Sequence, residues 1–192
     1  TVGGEPAPIT RAGRELTIDP DAVLAAGEAT EVVVTYRGVP QAISLGSDVF
    51  GAGWQTDGRE AYVVSEPAGA ATWFPANDHP TDKALFTFEL TVPADQAAVA
   101  NGVLVEERTE PDGRQTAVWQ ASDPMATYLA SIVVGDLVIE RGTAPTGLPL
   151  RDAYPPEHAQ PARELFARTG EMVAAFEAWF GPYPFEVYGH VV

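Results

Sequence analysis

Between Phe86 and Val92 the chain alternates apolar and polar residues without a break, Phe-Thr-Phe-Glu-Leu-Thr-Val, and Pro93 ends the run. A period of two over seven positions is what a strand with one buried face requires, and proline cannot continue a ladder. Shorter runs of the same kind recur around it. Leu16 and Ile18 alternate with polar neighbours, and Val32, Val34 and Tyr36 share one face of a run whose other face carries Val33 and Thr35. Val2 to Pro8 reads as a turn between two strands, so a further strand is expected ahead of it.

Two dipeptides suggest hairpins. Asn101-Gly102 lies between Ala98-Val99 and Val103-Leu104-Val105, and Asp112-Gly113 precedes Thr116-Ala117-Val118-Trp119. Both supply the positive φ angles of tight two-residue turns. Tyr128 to Glu140, rich in Ile and Val, reads as one long strand buried on both faces. Strands at this spacing with no helix between them predict an antiparallel β-sandwich or curved sheet. The 18 glycines and 17 prolines agree with a fold of many turns.

After residue 150 the period changes. Residues 142–150 form a turn-rich connector between a β-rich domain over 1–141 and a second unit over 151–192. Pro161 sits where a helix accepts proline in its first turn, and Leu165, Thr169, Met172, Val173, Phe176, Trp179 and Phe180 fall on one helical stripe. The spacing predicts a single helix over 161–180, stopped by Gly181-Pro182. Phe185 to Val192 reads as a new strand, with the chain ending inside it, so both ends are expected to be cuts.

Charge and composition narrow the function. With 27 acidic against 11 basic residues the formal charge is −16, which disfavours nucleic acid, since no stretch clusters Lys or Arg. There is no cysteine, hence no disulfide framework and no Cys-based metal site; such a chain suits reducing and oxidising compartments equally. No apolar run is long enough to span a bilayer.

Nor is a self-sufficient catalytic motif written here. His79, His158 and His190 form no His-Glu-x-x-His pair and read as a loop, a solvated and a packed histidine. Ser44, Ser47, Ser65, Ser122 and Ser131 lack the Gly-x-Ser-x-Gly elbow. Val49-Phe50-Gly51-Ala52-Gly53-Trp54 does not precede a helix, which removes a phosphate cradle. One segment stands apart. Ser65 to Pro80 is long and non-periodic, yet holds Trp73 and Phe74, which argue for a packed loop over a disordered one. Asp78 fits a turn-capping role in it.

At this segment the sequence resembles the gluzincin zinc aminopeptidases, the family of membrane alanyl aminopeptidase and aminopeptidase N. Phe74-Pro75-Ala76-Asn77-Asp78-His79-Pro80 resembles the family's Phe-Pro-Cys-x-Asp-Glu-Pro block, and Glu66 precedes Asp78 at the family's spacing. Lys83-Ala84 with the Phe86–Pro93 strand, Ala98 to Gly102, Asp123 to Ala130 with Val134-Gly135-Asp136, and Phe176 to Phe185 resemble further family stretches in the same order. Val64 stands where glutamine is frequent, Ala71 and Thr72 where arginines are, Ala76 where cysteine is, and His79 where glutamate is. These departures mark a divergent, bacterial-type branch.

The resemblance implies a saddle-like, mainly β N-terminal domain, followed by one α-helix and a strand that begin a thermolysin-like α/β catalytic domain. It implies Zn2+ in the full-length enzyme, with every ligand outside this chain, and the chain's own downstream catalytic domain as partner. Peptides with a free N-terminus are the implied substrates. Glu66 would bind their α-amino group, with Val64 and Pro67 near the pocket for the first side chain, and this piece alone would be inactive. Two alternatives compete: a non-catalytic β-sandwich binding module for carbohydrate or protein, with Trp54, Trp73 and Trp119 as an aromatic platform, and a scaffold domain.

Overall fold

Apolar alternation pairs the strands as expected at the centre of the chain. The computed structural model describes residues 1–44 and 51–192, and Ser47 and the Val49-Phe50 pair lie outside the described residues. Strand β1 (Ile9–Ala12) pairs with β2 (Glu15–Ile18), so the first alternation is a hairpin. Next come β3 (Ile43–Ser44), β4 (Gly51–Thr56) and β5 (Ala61–Val64), then β6 (Ala84–Val92) and β7 (Ala97–Ala100). They are followed by β8 (Val103–Thr109), β9 (Gln115–Met125), β10 (Ile132–Gly135), β11 (Val138–Thr143) and β12 (Pro149–Tyr154). The larger sheets run in the orders β3-β4-β5-β10-β7 and β6-β9-β8, and every named ladder is antiparallel. The architecture is mainly β, as expected.

The core lies between these two sheets. Phe86, Phe88, Leu90 and Val92 point inward while Thr87, Glu89 and Thr91 point out, and Phe88 faces Trp119 across the β6–β9 ladder. Trp119 is the largest fully buried side chain, and its Nε1–H donates to Ala98 O at 3.0 Å. Burying so large a ring requires a partner for its one polar group, and the β7 carbonyl supplies it. Outside, Arg108 of β8 pairs with Glu89, Glu106 and Glu110. These are surface pairs that add little to stability.

Several elements differ from expectation. The Asn101-Gly102 turn is not a hairpin: β7 pairs with β10, while β8 pairs with β9. The turn is a corner between sheets, because Trp119 on β9 and Ile132 on β10 draw the two strands to different partners. Gly102 has φ +83°, and a Cβ there would stand 2.0 Å from Gln120 O, so no side chain fits. Asp112-Gly113, by contrast, does lie in the loop joining the paired β8 and β9.

The 128–140 run is not one strand. It divides into a 3-10 turn at Thr127–Leu129, then β10 and β11, which join different sheets. The 31–36 run forms no ladder; it meets the rest through an isolated bridge from Val32 to Val2, main-chain bonds from 31 and 33 to residues 1 and 3, and the Tyr36 hydroxyl. Val32, Val33 and Tyr36 are exposed, so no buried face drives its pairing. The expected connector at 142–150 is the tip of the β11–β12 hairpin.

The expected single helix is two, α1 (Ala159–Phe166) and α2 (Thr169–Phe180), after a 3-10 turn at Pro156–His158. The first turn of α2 closes on the hairpin tip, where a Cβ on Gly170 would stand 3.3 Å from Pro145 Cδ, and the chain bends at 167–168 to make that approach. Gly181, at φ +91°, ends α2 by donating to Glu177 O. Residues 185–192 run extended but form only isolated parallel bridges to β12, Leu150 to Tyr188 and Ala153 to Val191.

Candidate functional site

The long loop after β5 is seated main chain to main chain. Gly69 approaches β4 so closely that a Cβ would lie 2.6 Å from Gly53 N, and Gly53, at φ +92°, would collide with Thr72 Oγ1 at 2.1 Å if it carried one. The loop's first turn is closed by Gly69 N–H donating to Ser65 O at 2.6 Å, and Thr72 Oγ1 donates to Gly69 O at 2.6 Å. A short 3-10 turn at Ala70–Thr72 follows, with Ala70 wholly buried.

Polar groups and rings then tie the loop to the body. Asp78 Oδ2 accepts from Ala71 N–H at 3.3 Å and its Oδ1 from Thr127 Oγ1 at 3.0 Å, so one carboxylate braces two 3-10 turns. Asp78 thus caps a turn, as expected. Trp73 Nε1–H donates to buried Ser65 Oγ at 3.4 Å, and Tyr36 Oη donates to Trp73 O at 2.7 Å. Trp73, Phe74, Phe86 and Phe88 form a train of ring contacts from loop to core.

Glu66 is exposed on this braced loop, beside the cis Glu66–Pro67 bond. Among the described residues its carboxylate has no hydrogen-bond or ion-pair partner. Pro67 is also exposed, and Val64 is 49% exposed. Burial alternates through Tyr62, Val63, Val64, Ser65 and Glu66, so Tyr62, Val64 and Glu66 share the open side.

That open side is continuous with a covered one. Residues opposite each other in a ladder face the same way. Gln55, Tyr62, Val133 and Val99 form one such row across β4, β5, β10 and β7. Val99 and Val133 line a cavity of about 260 Å³ whose other wall is Arg151, Tyr183 and the 185–191 segment. One face of the five-stranded sheet therefore carries Glu66 at one end and is roofed by the C-terminal segment at the other.

The roof is fastened by charged residues that sequence reasoning missed. Glu186 accepts from the Ser122 and Asp123 amides of β9. Asp152 accepts from His190 N–H at 3.0 Å and lies 2.8 Å from His190 Nδ1, while the His190 ring stacks on Phe166 at 3.8 Å. Arg151 donates to Ala100 O and Gly102 O. None of these belongs to a recognisable pattern, because the partners, mostly main-chain groups, lie far away in sequence.

The remaining expectations fall as follows. His79 is a loop residue bonded to Thr81, and His158 lies exposed in the turn before α1. No three His, Asp or Glu side chains among the described residues come together as a metal-holding group. The aromatic platform of the binding-module alternative is absent: Trp119 is buried, and Trp54 and Trp73 are packed on the core. On α2, Phe176, Trp179 and Phe180 are 55%, 72% and 80% exposed and make stacked and edge-to-face ring contacts with one another. No helix of the described residues is long and apolar enough to cross a membrane.

Comparison with known proteins places this arrangement in context. Residues 9–129 match the family model of the peptidase M1 N-terminal domain. Aminopeptidase N of Acetobacter pasteurianus is 29% identical over 162 residues, 81% of this chain and 44% of that protein. Aminopeptidase M1-A of Oryza sativa subsp. japonica is 33% identical over 120 residues, 59% of this chain and 13% of that protein. Among solved structures, a two-domain M1 zinc metallopeptidase bound to L-tryptophan superimposes with a TM-score of 0.90 at 29% identity, covering 100% of this chain and 45% of that one. An M1 zinc metallopeptidase from Deinococcus radiodurans bound to a Tyr-Ser-Ala substrate gives 0.89 at 29% identity, covering 100% and 45%. The chain thus spans less than half the length of the relatives it matches.

Proposed function

This chain belongs to the M1 peptidase family through that family's N-terminal domain, and on that premise we propose that it forms one wall of the substrate cleft of a zinc aminopeptidase. The wall is residues 1–141, with 142–150 leading into 151–192 as the start of the catalytic part. Zinc and its ligands belong to polypeptide beyond these residues, so no step of the chemistry runs through this chain. The bare apolar face of α2 packs against that catalytic part, which is the chain's partner.

Within the wall, Glu66 binds the α-amino group of a peptide with a free N-terminus. A fixed carboxylate pairs with an ammonium through charge-assisted hydrogen bonds, and its position at one end of a cleft selects the terminal residue. Val64 and Pro67 border the place of the first substrate side chain. The observation that carries this reading is the state of Glu66 itself: an exposed carboxylate without a partner among the described residues, on a loop braced by Asp78 and by glycine-to-glycine contact. A solvated surface glutamate has no need of such a mount. Its sheet face is also the one that the 185–191 segment roofs.

The test is Glu66→Ala in the polypeptide that includes the catalytic part. We expect kcat/KM on free-amino-terminus peptides to fall by ~10- to 100-fold, the scale of a hydrogen bond to a charged group, with zinc content unchanged. Unaltered kinetics would remove the assignment.

A further inference from the structure

Arg151 is a part-buried cation among dipoles instead of carboxylates. Its Nη1 donates to Gly102 O at 2.7 Å and its Nη2 to Ala100 O at 2.8 Å, and its guanidinium carbon lies 4.4 Å from the centroid of the Trp119 ring. Trp119 Nε1–H takes the carbonyl of Ala98. Carbonyls of alternate residues point to the same side of a strand. Ala98 and Ala100 therefore face one side, the edge of β7 that no strand pairs, since β7 ends its sheet, and the Gly102 carbonyl follows in the turn beyond it. An indole and a guanidinium satisfy that edge where another strand would otherwise do so. No carboxylate pairs with Arg151 among the described residues, and burial, followed by the charge of Arg141, pushes its pKa down to about 10.

The main chain of the same residue holds the roof. Arg151 N–H donates to Tyr188 O at 2.9 Å, and Gly189 passes so close that a Cβ on it would lie 1.7 Å from Arg151 O. Arg151 thus grips the sheet edge with its side chain and the 185–191 segment with its backbone. Glu186 repeats the fastening against β9. The sheet face under this roof is the one that carries Glu66.

We propose that Arg151 is a positioning residue, which fixes the separation between the Glu66 wall and the catalytic part and so keeps the amine-binding carboxylate in register with the cleft. This rests on the reading of Glu66 given above. A lysine lacks the fork that reaches two carbonyls together, and a methionine keeps the contact with Trp119 but neither hydrogen bond.

Two measurements test it. In the polypeptide with its catalytic part, Arg151→Met should raise KM for a free-amino-terminus peptide by ~10-fold, with kcat nearly unchanged and Arg151→Lys intermediate. Combined with Glu66→Ala, it should cause no further loss, because both act through one interaction. A loss that adds in full to that of Glu66→Ala, or an unchanged KM, overturns the proposal. Hydrogen exchange on the 192-residue chain reads the latch without any activity: the Tyr188 and Val192 amides should exchange ~10-fold faster in Arg151→Met, with β8 and β9 unaffected. Equal exchange refutes the latch. A silent Glu66→Ala with faster exchange rejects the amine site and the positioning role with it, and leaves Arg151 a seam fastener only. If Arg151→Met does not fold, Arg151→Lys carries both measurements.

Discussion

Replacing Gly102 by alanine separates two reasons for a glycine. At φ +83° an L-residue is disfavoured by ~1–2 kcal/mol before any contact is counted. The new Cβ would also stand 2.0 Å from Gln120 O and 2.2 Å from its carbonyl carbon. Both are main chain in β9, so relief requires moving a strand, at ~1–3 kcal/mol on the scale of overpacking. Together these predict a loss of ~2–5 kcal/mol. Gly113 is the matched control, with φ +88° and nothing within 4 Å of an added Cβ, so Gly113→Ala should show the first cost alone. Urea unfolding followed by tryptophan fluorescence reads the difference. With a slope of about 2 kcal/mol/M, the two midpoints should lie ~0.5–1.5 M apart, the Gly102 variant lower. Coincident midpoints would mean that the corner yields freely, and that the close sheet-to-sheet approach does not set the position of β7.

Two further changes probe the loop and the outer face. Asp78→Ala leaves the Ala71 amide and the Thr127 hydroxyl without their acceptor and should cost ~1–2 kcal/mol. Proteolysis within 65–80 should quicken; an unchanged cleavage rate would show that the glycine contacts alone seat the loop. The Glu110 carboxylate is held below its ordinary value of 4.5, first by the hydrogen bond from Thr116 and then by the charge of Arg108. Its contribution is therefore present above the unfolded value and is lost as pH falls through the lower folded one. Glu110→Gln should flatten the acid limb of the stability profile, and an identical limb in both proteins would reject the Thr116 bond as its source.

Local pattern carried far where burial is one-sided. The 86–92 alternation, the Leu16–Ile18 strand and the Asp112-Gly113 loop were legible, because each is decided by neighbours in sequence. Pairing across long separations was not. Nothing in Asn101-Gly102 says that its flanking strands enter different sheets, since that is set by where Trp119 and Ile132 are buried. The break at 167–168 depends on the β11–β12 tip lying under Gly170, a contact invisible to helical periodicity. Glu66 was singled out only because a motif pointed to it. Arg151 and Glu186 were missed because main-chain partners leave no residue signature.

A loop held by bare backbone separates where it stands from what it displays. Gly53 and Gly69 lock the mount, while the side chains of exposed Ala71 and Pro67 contribute little to it. Those outward positions form a changeable cassette on a fixed chassis. If Glu66 binds the substrate amine as proposed above, libraries built there would vary what surrounds it while the carboxylate keeps its place, and would test whether these positions influence which terminal residues are accepted.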